Sequence, residues 1–369
     1  MLKNINFLVT FVFTIMIITP FVNGALTSRF DFNLNIFFPL FFLMAVFRSF
    51  LIRKQLNIKN VIIWVILAGL LCFTTAVSIS LSPPKNEVID IQILSIICGV
   101  LCALPLLDAG LVEEITKQAP KLFIISCSIA LAISLGSLEL VEIGIQNSTR
   151  SIYFSSPISI AIIAGIAVIS ILHARINFPF KILFVFLMLF AMYIMSSRGP
   201  IIALLFCVML YIFKKYPLWI KITISTLFVV VIPLILNIRG TVSESNSERE
   251  MILNAAAELF ANDPFGGYLG RFNTETGLIY THNLFIDFAI DLGILQALWL
   301  LFIVILILLG FFRVRNNKGE LFVIYLFLYL LFCMFFSLPA IEMLKIFIPL
   351  AFAALAKLSG ITANNRVRV

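Results

Sequence analysis

Long apolar runs, returning one after another with short polar breaks, constrain this chain more than any other feature of its sequence. Most are about 17 to 25 residues long, the length an α-helix needs to cross the hydrocarbon core of a bilayer. They fall at about 5–24, 33–52, 61–82, 88–107, 121–138, 156–174, 180–197, 199–214, 218–237, 283–310, 320–338 and 340–358. Only 12% of the 369 residues are charged and 62% are hydrophobic, whereas soluble domains carry about 25% charged residues. With nothing but lipid to solvate a crossing segment, its backbone groups must bond within it, and these runs do so as helices. The sequence predicts an all-α polytopic bundle of twelve membrane helices, a single integral membrane domain over 1–369. The first run, from Phe7 to Ile18, has the look of a signal peptide and is read as the first membrane helix.

Basic residues test that count independently, because loops on the cytoplasmic side are enriched in Lys and Arg. With the N-terminus inside, 18 of the 26 Lys and Arg fall on the cytoplasmic face and 8 on the other, and both termini are cytoplasmic. Their even scatter, at a net charge of +8, reads as loop anchors rather than a phosphate-tracking stripe, so no nucleic acid is expected. All six cysteines lie within apolar runs without CxxC spacing, which supports neither a disulfide framework nor a thiolate metal site.

This topology puts three polar stretches on the outer face. They are residues 238–282, the tight turn at Ser196–Pro200, and the loop carrying Arg150 and Tyr153. The first is the long polar island of the chain. Within it, Ser247-Glu-Arg-Glu250 is a Ser-x-x-Glu capping pattern, followed by Ile252, Ala255, Ala256, Leu259 and Phe260 on one helical face. Asn262-Asp-Pro264 and Gly266-Gly267 stop that helix. The expectation is a short amphipathic helix at the membrane–water boundary, with Arg249 in its first turn, where a cation works against the helix dipole.

Candidate chemistry concentrates here. Arg198 sits at the rim of two apolar helices, a costly place for a charge. Arg249 and Arg271 flank the predicted helix, and guanidinium forks match phosphate oxygens. His282 precedes a long apolar helix whose N-terminal field disfavours imidazolium and keeps the ring neutral, as a general base requires. His173 reads as a loop residue without a role. Asp287 and Asp291, spaced i, i+4, share one face of the membrane helix 283–310. They serve either catalysis or the tethering of the loop. No DxD pattern or metal-ligand spacing stands on the outer face, so metal-independent chemistry without a cofactor is expected.

Ser197-Arg198-Gly199, the outer loop with Arg249, Asn262-Asp-Pro-Phe-Gly-Gly267 and the run from His282-Asn283 through Asp291 to Gly293 together resemble the O-antigen ligase and polymerase superfamily, over roughly residues 180–300. That resemblance implies a glycosyltransferase on the outer, periplasmic face of a bacterial inner membrane. Its substrate is a glycan carried on undecaprenyl diphosphate, and its surroundings are membrane lipids, a chain-length regulator protein and a flippase. Arg198 and Arg249 are implied to hold the diphosphate, and His282 to activate or orient the acceptor hydroxyl. Arg271 and Asn283 are candidate diphosphate or sugar contacts, with Asp287, Asp291, Arg150 and Tyr153 in support. The 45-residue loop and the lack of a second outer histidine favour a polymerase over a ligase that transfers the chain to a lipid A core. A flippase or exporter of lipid-linked oligosaccharide is the non-enzymatic rival.

Overall fold

The computed structural model describes residues 2–30, 33–52, 58–81, 87–135, 157–195, 197–217, 219–223, 226, 242–264, 267–278, 281, 283–313, 321–335, 338, 341 and 343–366. Among them there is no strand, and the chain divides into two compact units. The architecture is that of an all-α membrane protein. Among the described residues, four segments are long and apolar enough to cross a bilayer: Lys3–Asn23, Leu34–Leu51, Ile89–Leu107 and Ile294–Arg313.

The first unit comprises Met1–Ile52, Glu113–Ile238 and Asn316–Leu330. Its helices are α1 (Leu2–Phe30), α2 (Phe37–Ile52), most of α5 (Ala109–Leu135), α6 (Pro157–His173), α7 (Phe178–Ile194), α8 (Arg198–Lys215) and the start of α13 (Phe322–Met334). Every residue of α6 from Ile160 to Ile171 is buried, and a helix apolar all round belongs in the middle of a bundle. It packs against α1, α7 and α8. Gly165 lets Tyr329 of α13 lie across it, with the phenol hydroxyl donating towards Ala161 O at 3.5 Å and Ile162 O at 3.3 Å. Helices in a bilayer pack by such close approach at small residues, since lipid tails are as apolar as their side chains. Buried Thr10 and Thr14 of α1 return their hydroxyls to carbonyls one turn back, at 2.8 and 2.9 Å, so neither is an orphan in an apolar setting.

The second unit comprises Arg53–Val112, Arg239–Arg315 and Leu331–Val369. It contains α3 (Ile58–Leu81), α4 (Glu87–Ala103, continued by a 3₁₀ turn, Leu104–Leu107), α9 (Val242–Asn262), α10 (Arg271–Thr276), α11 (Leu284–Asp291), α12 (Ile294–Arg313) and α14 (Leu344–Arg366). Glycines again set the contacts. Gly99 of α4 lies under the Leu344 carbonyl of α14, and Gly310 of α12 under the Leu358 side chain of α14.

Three predicted boundaries are corrected. The helix expected at 121–138 begins at Ala109 and runs through Pro120. Its extra turns are amphipathic: Leu111, Val112, Ile115, Thr116 and Ala119 are buried, while Glu113 and Lys117 point outwards and pair at 2.7 Å. The helix expected at 283–310 is two helices, broken where Gly293 takes φ +89°. Glycine adopts that left-handed conformation at little cost and ends helices for this reason. Asp287 and Asp291 therefore stand on an eight-residue helix too short to cross a bilayer. Finally, α9 starts at Val242 instead of at the Ser247 capping pattern. A Ser-x-x-Glu pattern marks a start only where a breaker precedes it, and Val242–Asn246 contains neither Gly nor Pro. Arg249 is thus about two turns into the helix, and the argument from the helix dipole no longer applies to it. Of the expected helix at 218–237, residues 219–223 and 226 are described and helical, and the rest lies outside the described residues.

The contact at Gly165 generates a direct test. Gly165→Leu places a branched side chain where the Tyr329 ring already sits, and overpacking costs about 1–3 kcal/mol. The detergent-solubilised variant should unfold several degrees below the native protein in a thermal melt. Gly69→Ala, where an added Cβ meets nothing within 4 Å, should leave the melt unchanged.

Candidate functional site

The polar stretch 238–282 is built in the second unit, from its own small core outwards. Ala256 and Leu259 of α9 are buried against Phe272 of α10 and Ile290 of α11, with Ile252, Leu278 and Ile286 packed around them. The apolar face read from the sequence thus turns inwards on the loop's own second half. Phe260, at the edge of that face, stays 36% exposed.

Arg271 ties the end of α9 to this core. The residue is 5% exposed. Its Nη2 donates to Leu259 O at 3.1 Å and its Nη1 to Asp263 O at 3.3 Å, while Nε meets Glu275 Oε1 at 3.0 Å. The last carbonyls of a helix have no intrahelical donor, and a guanidinium supplies one together with a charge that suits the negative helix end. Tyr268 adds a second donor to the same Glu275 oxygen at 3.0 Å.

Asp291 is the point where the returning chain is fastened. One carboxylate oxygen accepts from Phe272 N at 3.1 Å and the other from Gln92 Nε2 of α4 at 3.0 Å. The backbone carbonyl of Asp291 accepts from Ser78 Oγ of α3 at 2.8 Å. Burial pushes its carboxyl up to about 7, against the pull of the Phe272 N–H, the Gln92 amide and the Gly270 amide. Thr74, one turn before Ser78, donates to Gln296 Oε1 of α12 at 2.9 Å. Gln92, Ser78, Thr74 and Gln296 form a buried polar seam that the sequence reading passed over. Its signal was present as polar side chains within apolar helices.

Asp287 fastens the next turn. Its Oδ1 accepts from Thr281 N at 2.8 Å and from Thr281 Oγ1 at 2.7 Å. Asn283 is the N-cap of α11, with Oδ1 accepting from Phe285 N at 3.1 Å and Ile286 N at 3.3 Å. The two residues that flank His282 in the chain are therefore both held by side-chain to backbone bonds, while His282 itself lies outside the described residues.

Two glycines allow the chain to close on itself. Gly270, at φ +73°, turns the chain into α10 against Ile89 of α4. Gly267 lies against the backbone of Leu292 and Gly293, so a Cβ there would run into Gly293 N. The Gly266-Gly267 pair was expected to stop a helix. Its second member has this further duty.

The remaining candidates are placed as follows. Arg198 opens α8 in the first unit, half-buried, after Ser197 in the cap position. Arg249 lies on α9, with only its backbone described. Arg150 and Tyr153 are outside the described residues. Arg271, Asn283, Asp287 and Asp291 all stand in the second unit, with Asp291 bonded to the residue after Arg271.

Asp291→Ala strips two donors of their acceptor at once, and each buried orphan costs about 1–3 kcal/mol. The variant should lose protection around Phe272 in hydrogen exchange, while α12 and the Thr281 turn, which Asp287 holds, keep theirs. Gln92→Leu removes one of those bonds and should show a smaller loss confined to the Phe272 side. Gly267→Ala should resemble Asp291→Ala, because the obstruction is backbone that cannot rotate away.

Residues 183–298 match the family model described as O-Antigen ligase. The match runs from within α7 through α8, α9, α10 and α11 into the first turn of α12, close to the 180–300 expected from the motifs. No match is found among curated proteins. In this segment, then, the chain is similar to a family of membrane enzymes that act on O-antigen.

Proposed function

We propose that this protein is a membrane glycosyltransferase that joins lipid-diphosphate-linked oligosaccharide repeat units into a surface polysaccharide, acting on the periplasmic face of a bacterial inner membrane. The observation that carries the reading is the family match over 183–298, which contains Arg198, Arg249 and His282 together with the fastened loop. In this proposal the chain crosses the membrane twelve times, and both termini are cytoplasmic.

The chemistry follows from the groups assigned. The bond between the anomeric carbon and the carrier diphosphate breaks, and its electron pair leaves with the diphosphate. Arg198 and Arg249 bind the oxygens on which that charge gathers, the kind of stabilisation that dominates such reactions. The acceptor hydroxyl forms the new bond and gives its proton to neutral His282. Proton transfer of this sort is worth about 10²–10⁴-fold. Asn283, as the cap of α11, and Asp287, through Thr281, hold the chain on either side of His282. Arg271 and Asp291 keep the loop closed behind it, and Arg271 adds positive charge at that wall of the site. Arg150 and Tyr153 are assigned a supporting place on the sugar side. The proposal uses no metal and no cofactor. The chain-length regulator and the flippase are partners in the same assembly line.

Polymerase is preferred to ligase because the outer loop is short, about 45 residues, and has a single histidine. Deleting the gene separates the two on a lipopolysaccharide gel. A core bearing one repeat unit is the expected result. A bare core, with finished chains left on the carrier lipid, would make the protein a ligase. Arg198→Ala, Arg249→Ala and His282→Ala should each abolish chain lengthening while the protein remains in the membrane fraction. Full-length polysaccharide from His282→Ala cells would remove the histidine from the mechanism.

A further inference from the structure

The end of α6, α7 and α8 opposite Arg198 gathers cations that the proposed reaction does not use. Lys181 of α7 reaches the last turn of α6, donating to Leu172 O at 3.4 Å. Lys215 of α8 donates to Tyr211 Oη at 2.9 Å and stands 5.1 Å from the Tyr211 ring centre and 5.2 Å from that of Tyr216. Tyr211 in turn lies edge-on, at 5.6 Å, to His173, the residue that follows Leu172. Both lysines therefore stand at the same end of these helices, Lys181 on the last turn of α6 and Lys215 on the Tyr211 that packs against it. Among the described residues neither has a carboxylate partner. Arg175, exposed in the connection between α6 and α7, adds a third cation at this end.

Like charges held together without a counter-ion are costly, and an anion that enters among them relieves the repulsion. The surroundings say where that anion resides. Trp219 is 69% exposed at the same end, and tryptophans gather at the headgroup level of a bilayer; Phe178 and Phe180, 73% and 57% exposed, present apolar rings at that end. Lysines at that level attract anionic headgroups. Tyr211 and Tyr216 fix the Lys215 ammonium in place, so it is presented rather than trailing in solvent.

We propose that Lys181 and Lys215, with Arg175 at the rim, form a phosphate-binding site at the Lys-rich end of α6–α8 that takes the headgroup of an anionic phospholipid. The site is independent of the glycosyl-transfer reading and tests separately from it. His173, expected to have no role, supports the site by packing against Tyr211.

The test reconstitutes the full-length protein in nanodiscs of phosphatidylcholine with or without phosphatidylglycerol, extracts it into detergent, and counts retained lipids by native mass spectrometry. The native protein should retain phosphatidylglycerol in preference to phosphatidylcholine. Each lysine near the membrane surface contributes about 1 kcal/mol, so Lys181→Gln or Lys215→Gln should weaken retention about five-fold and the double variant about twenty-five-fold. Lys181→Arg with Lys215→Arg should keep it, as should Lys357→Gln in the second unit. A parallel titration with inorganic phosphate identifies the source. Displacement of the lipid means the phosphate group alone is recognised, and its failure means the acyl chains also contribute. Equal retention of the two lipids, or undiminished retention in the Lys181→Gln/Lys215→Gln variant, overturns the proposal.

Discussion

An irregular loop laid against apolar helices has to satisfy its own backbone polar groups, because neither lipid nor a greasy helix surface will do so. In this protein one carboxylate meets much of that demand. Asp291 receives Phe272 N on one oxygen and the Gln92 amide on the other, and its carbonyl receives Ser78. The loop from α9 to α11 is thereby joined to α3 and α4. The arrangement stands only because Gly267 lets two stretches of backbone touch and Gly293 ends α11 just past the acid. With the backbone so engaged, the residues around His282 are held by Thr281, Asn283 and Asp287 and not by lipid.

Placing the proposed catalytic groups in such a loop has a physical logic. A membrane helix offers mostly apolar side chains, and a charge within it is expensive. A loop fastened by buried bonds offers polar groups at the membrane surface without the conformational freedom that would blur their geometry. The structure of α9 fits that role. Its apolar face packs on Phe272 and Ile290 and stiffens the loop from within, while the arginine at its far end, Arg271, has its guanidinium nitrogens engaged in closing it.

Much of this was legible in the sequence, and the reasons for the remainder are specific. Hydropathy and the spread of Lys and Arg led to an all-α membrane protein because lipid permits little else. Asn262-Asp-Pro264 was rightly read as a helix stop, since the residue before a proline is biased out of the helical region and α9 ends at Asn262. Local pattern misled at Gly293. The apolar run continues unbroken across it, and hydropathy registers solvent preference, not backbone conformation. Arg271 was assigned to a diphosphate from its residue type alone, and its engagement with the end of α9 depends on a fold that brings residue 271 back to residue 259. Gln92, Ser78 and Gln296 went unnoticed for the same reason. Each stands in a mostly apolar run, and its partner is about two hundred residues away along the chain. The pairing of Arg198 with the loop rests on the family resemblance and is not read from the fold.

The central claim is that the protein makes a glycosidic bond and does not merely move its lipid-linked substrate. The most direct measurement reconstitutes the purified protein in proteoliposomes with a lipid-diphosphate-linked repeat unit and follows the length of the carrier-bound glycan over time. The account predicts chains longer than a single unit, with one free carrier diphosphate released for each unit joined. Passage of the intact lipid-linked unit from one leaflet to the other, with no lengthening and no carrier released, would contradict it.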